Sequence, residues 1–64
     1  MRYIVVRDRG GRPLRKRFWG DGRGWVETEA EATSYGSATE ADAVARPLDY
    51  ALRNAYFSVG IRVH

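Results

Sequence analysis

The chain has 64 residues, a net charge of +3, one histidine and no cysteine. At that length folding buries only about 60% of the surface the unfolded chain exposes, so the core is thin. Disulfides and a zinc centre, common staples of small domains, are both excluded.

Charge is unevenly placed along the chain. Residues 1–26 carry eight basic side chains against Asp8 and Asp21, whereas the remainder carries three basic against six acidic. Ten of the eleven basic residues are arginine, whose planar fork suits phosphate and carboxylate better than lysine does. A basic half of this kind can face nucleic acid or an acidic protein surface, or be partly neutralised by the acidic half within the fold. No apolar run approaches the roughly 20 residues of a membrane-spanning helix. Residues 1–8 pass too soon into charge for a signal peptide. The expectation is a single domain over residues 1–64, cytoplasmic, with no membrane partner.

In chain order, Tyr3-Ile4-Val5-Val6-Arg7 is β-branched and aromatic and apolar on both alternating faces, which predicts a central strand. Arg9-Gly10-Gly11-Arg12-Pro13 supplies turn chemistry, and residues 14–19 read as a second strand. There Leu14, Lys16 and Phe18 share one face, and Arg15, Arg17 and Trp19 the other. Gly20-Asp21-Gly22-Arg23-Gly24 is a hairpin turn, followed by a short strand over residues 25–28 and a possible extension at residues 32–35. Ser37-Ala38-Thr39-Glu40 is a capping box. It opens a helix whose apolar stripe runs through Ala41, Val44, Ala45, Leu48, Ala51 and Leu52. Pro47 removes one helical hydrogen bond, so a kink or break is expected there, with Asn54 as the end. Residues 56–63 form a last strand with Phe57, Val59, Ile61 and Val63 on one face. The fold class is therefore α+β: a three- to four-stranded, mainly antiparallel sheet in the order β-β-β-α-β. One helix, kinked or broken near Pro47, packs on one face.

Catalytic and metal chemistry find no support. His64 is the only histidine and the last residue given, a poor place to hold catalytic geometry. No metal-ligand spacing exists, and no cofactor is expected. Glu27, Glu29 and Glu31 alternate, but exposed carboxylates lack the burial that tunes acid–base pairs. Gly20-Asp21-Gly22-Arg23-Gly24 is followed by a Trp-Val strand and not by the helix a phosphate loop requires. The expectation is a protein without enzymatic activity.

One surface stands out. If the helix covers Ile4, Val6, Leu14 and Phe18, the opposite face shows Tyr3, Val5, Arg7, Arg15, Arg17 and Trp19, with Trp25 across the hairpin and Arg23 in its turn. Arginine mixed with aromatics is the composition of protein-interface hot spots and of single-stranded nucleic-acid platforms. The candidate binding residues are accordingly Arg7, Arg15, Arg17, Trp19, Arg23 and Trp25. Gly24-Trp25-Val26, the segment Glu31-Ala32-Thr33-Ser34-Tyr35-Gly36-Ser37 and the capped helix from Glu40-Ala41 together resemble a pattern in small phage and mobile-element proteins. That group includes anti-CRISPR proteins. The resemblance implies a small inhibitor that masks a host protein or ribonucleoprotein complex, and it carries no site residues over. The chain departs from the acidic DNA mimics of that group by being basic. A nucleic-acid-binding module using the same face and a structural homodimer are the alternatives.

Overall fold

A computed structural model of the chain describes residues 1–52 and 56–63. Among these, four strands and one helix form in the expected order: β1 (Arg2–Asp8), β2 (Phe18–Gly20), β3 (Gly24–Val26), α1 (Ala38–Leu52) and β4 (Phe57–Val63). The expected helix end at Asn54 lies outside the described residues, as does His64.

The strands make one sheet in the order β3-β2-β1-β4, with every neighbouring pair antiparallel. β1 is central, as its two apolar faces predict, and pairs along its whole length with β4 from Arg2↔Val63 to Asp8↔Phe57. The β2–β3 connection is a tight turn in which Arg23 N donates to Gly20 O at 2.9 Å. Gly22 has φ +79° there, while no non-glycine residue among those described has positive φ. That combination fits a type II turn, with Asp21 and Gly22 at its centre. Tyr35 extends the sheet by a single bridge to Arg2.

α1 packs on β4 and β1. Its start is the capping serine: Ser37 Oγ accepts from Glu40 N at 3.2 Å, and Ser37 O accepts from Ala41 N. The helix runs as one element through Pro47 and does not split into two. Ala43, whose carbonyl loses its partner to the proline, and Pro47 itself both lie on the exposed side of α1, where water can take the freed carbonyl.

The core has two parts, one on each side of the sheet. Beneath α1, Ile4, Tyr35, Ala41 and Ala45 are buried together, with Trp19, Trp25, Leu48 and Val59 packed around them. On the other side Val5, Phe18 and Val26 form a smaller cluster closed by Tyr3 and Ala32. Ile4 is fully buried and is the anchor of the larger part.

Candidate functional site

The second strand is shorter than the sequence pattern suggests, and this shapes the surface. β2 begins only at Phe18. The last link between its lead-in and β1 is Val6 N donating to Arg17 O at 2.9 Å. Pro13 has no amide to offer a ladder, and the Val5–Phe18 register carried past Arg17 would set Lys16 directly opposite Arg7. Pairing therefore stops at Arg17, and residues 11–17 part from β1.

The parting opens a groove of about 390 Å³ along the helix-free face of β1. Its walls include Val5 and Leu14, and its charged lining is Arg7, Arg12, Arg17 and Arg62 against the single carboxylate of Asp8. Asp8 is already engaged. Its Oδ1 accepts from Gly10 N at 2.7 Å, and its Oδ2 lies 3.8 Å from Arg12 Nε. Arg17 places its guanidinium 5.3 Å from the centre of the Phe18 ring, a cation–π contact that steadies it over the small core. A smaller depression of about 210 Å³ continues from Val5 and Arg7 to Ser58, Gly60 and Arg62 on β4. The arrangement is a concave strip of four forked cations, two of them facing a carboxylate of the chain itself, Arg12 with Asp8 and Arg62 with Glu29, and it is suited to carboxylates or phosphates.

The other end of the same sheet face is covered by the acidic segment that follows β3. Glu31 O lies 3.2 Å from where a side chain on Gly20 would begin, so any larger residue there would push the segment back by a few tenths of an ångström. Ala32 packs on Val5, Phe18 and Val26, and Glu29 Oε1 reaches to within 3.7 Å of Arg62 Nε. The acidic and basic parts of the chain thus partly neutralise each other, with Glu29 meeting the groove at Arg62.

The six candidate binding residues do not converge on one face. Arg7 and Arg17 line the groove. Arg15 is exposed on the parted segment and Arg23 is exposed in the β2–β3 turn, and neither lines the groove. Trp19 and Trp25 lie on the other side of the sheet, in edge-to-face contact at 5.1 Å and half-buried against the core under α1. The expected arginine–tryptophan face is therefore two surfaces. The cause is register: Val5 pairs with Phe18, so Phe18 joins Val5 on the helix-free side and Trp19 joins Ile4 beneath the helix. A one-residue offset exchanges the faces of a whole strand. This choice places the two largest apolar rings against the helix, where more area leaves water.

Two groove residues, Arg12 and Arg62, escape sequence reasoning. Arg62 comes from the far end of the chain, and only the β1–β4 register, with Tyr3 opposite Arg62, brings it alongside. Arg12 sits in a Gly-Pro turn with no periodic signal.

Beneath the helix, Tyr35 Oη and Trp19 Nε1 are buried and have no hydrogen-bond partner among the described residues. Burial raises the Tyr35 phenol above its ordinary value, and the nearby Asp21 carboxylate raises it further. No cluster of three or more metal-ligating side chains occurs among the described residues, and no described helix is long and apolar enough to cross a membrane. No family model matches the chain, and no curated protein or solved structure does.

Proposed function

We propose that the protein is a non-enzymatic binding protein that docks its arginine groove onto an acidic surface of a partner protein complex and thereby blocks or modulates it. The observation that carries this reading is the convergence of Arg7, Arg12, Arg17 and Arg62 on one groove holding a single, already engaged carboxylate. Arginine forks grip carboxylates in pairs and remain charged at every physiological pH. Protein is preferred to single-stranded nucleic acid because base stacking needs exposed rings beside the cations. Here Phe18 is buried, Tyr3 is packed on the small core, and both tryptophans sit on the opposite side of the sheet. The resemblance to small phage proteins suggests a host machine, such as a CRISPR effector, as the complex that is masked.

A cleavage assay with a reconstituted CRISPR effector tests this reading. The wild-type protein lowers target cleavage in proportion to its concentration, and the Arg7→Glu/Arg17→Glu variant, folded by circular dichroism, does not. Unchanged cleavage with the wild type refutes the anti-CRISPR form of the proposal. Equal inhibition by the variant removes the groove from it.

A further inference from the structure

We propose that the outer edge of β4 is a second docking surface, which accepts by strand addition an extended partner segment of alternating apolar and acidic residues. The docking contacts are main-chain groups that the groove does not use, while the preference for an acidic segment shares Arg62 with the groove. The two edges of the sheet differ in kind. β3 closes one side with three residues, the short edge by which natural sheets discourage pairing. β4 closes the other with seven residues in unbroken register, carrying neither bulge nor proline.

Alternation decides which main-chain groups of β4 are open to a partner. Val6 N donates to Arg17 O and Arg2 N to Tyr35 O, so the even-numbered residues of β1 turn their main chain toward β2. Their partners Phe57, Val59, Ile61 and Val63 therefore turn theirs outward. One outward amide is already held: Val59 N donates to Asp49 Oδ1 of α1 at 3.3 Å. Ile61 and Val63 lie beyond that cap, with exposures of 38% and 70%.

The side chains along this stretch define the occupant. Ile61 and Val63 fall on the helix side of the sheet and Arg62 on the other, where Arg7 lies in the same small depression. Arg62 already attracts a carboxylate from its own chain, Glu29 at 3.7 Å. A second copy is the poorer occupant. Two β4 strands pairing antiparallel through Ile61 and Val63, with the Asp49 cap intact, set the Arg62 of one copy directly against that of the other. Like charges facing each other across strands are destabilising. The register with Ile61 against Ile61 avoids this but forfeits the flanking bonds from the Val59 amides, which Asp49 holds. A segment with glutamate or aspartate opposite Arg62 and apolar residues on either side meets neither obstacle.

The probe is an N-acetylated octapeptide alternating valine and glutamate, titrated into the isotope-labelled protein while amide hydrogen exchange is followed. A valine–lysine octapeptide is the control. The expected result is slower exchange at Ile61 and Val63, with the glutamate peptide binding about three- to tenfold more tightly than the lysine peptide. Ile61→Pro removes an outward amide without touching the β1–β4 bonds and abolishes the effect. Val63→Pro, nearer the strand end, serves if Ile61→Pro does not fold. Arg17→Glu, in the groove, leaves the effect in place. Shifts confined to Arg7, Arg12 and Arg17 with unchanged exchange at Ile61 and Val63 overturn the inference and leave the groove reading standing. A homodimer in sedimentation that Ile61→Pro dissolves also overturns it, in favour of a second copy.

Discussion

Replacing Trp19 by alanine separates a packing role for this residue from a binding role. The ring packs on the cluster of Ile4, Tyr35, Ala41 and Ala45 and meets Trp25 edge-on at 5.1 Å. Truncating a fully buried tryptophan costs about 3–5 kcal/mol; Trp19 is half-buried, which lowers the expectation to about 2–4 kcal/mol on the same scale. An aromatic pair of this geometry contributes about 0.5–1.5 kcal/mol of that loss beyond area burial. A domain of 64 residues has a total stability of about 3–10 kcal/mol, so Trp19→Ala should be marginally folded. The assay is urea unfolding followed by circular dichroism, with the midpoint and slope compared with wild type. A stability loss below about 1 kcal/mol would refute the placement of Trp19 in the core beneath α1. It would return the ring to a surface where it is free to contact a partner.

Other perturbations follow from the same geometry. Pro47→Ala restores a helical amide on the exposed side of α1 and should stabilise the protein by about 1–3 kcal/mol, less a few tenths for the freer unfolded chain; unchanged or lower thermal stability would contradict it. Asp49→Ala uncaps the Val59 amide, and should cost about 1 kcal/mol and speed hydrogen exchange at Val59 while leaving Val6 protected; exchange unchanged at Val59 would show that the contact is not formed in solution. The Tyr35 phenol is raised by burial and by Asp21, so above the unfolded value near 10 the unfolded chain loses its proton first. Its stabilising contribution is complete below that pH and is lost as pH rises toward the folded value. Tyr35→Phe keeps the ring and should flatten this alkaline fall in melting temperature relative to wild type. Identical alkaline limbs for the two proteins would show that the phenol is solvated.

Features encoded locally were legible in the sequence. Ser37 and Glu40 mark the helix start, the β-branched run at residues 3–7 marks a central strand, and the alternation of Phe57, Val59, Ile61 and Val63 marks the last one. The site was legible only in part, because it depends on contacts between distant residues. Phe18 and Trp19 are adjacent and both apolar, so a period of two cannot say which of them faces the helix; the pairing of Val5 with Phe18 settles it. Residues 14–17 have strand-like alternation, yet Pro13 lacks an amide for the ladder and continued pairing would set Lys16 opposite Arg7, a cross-strand match that a local pattern cannot show. The groove exists because they part from β1. Arg62 reaches the groove through β4 alone, and no pattern near Arg7 or Arg17 announces it. The continuity of α1 through Pro47 likewise reflects tertiary packing: its apolar stripe lies on β4 and β1, and the proline occupies the solvent side.

The most direct test of the central claim is to map an acidic ligand onto the arginine side chains. Decaglutamate is titrated into isotope-labelled protein at about 50 mM and about 200 mM salt while the arginine Nε–H resonances are followed. The account predicts saturable shifts at Arg7, Arg12, Arg17 and Arg62 that weaken with salt, with Arg15, Arg23 and the two tryptophan indole signals little changed. Shifts centred on Arg15, Arg23 or the tryptophans, or no shift at either salt, would contradict it.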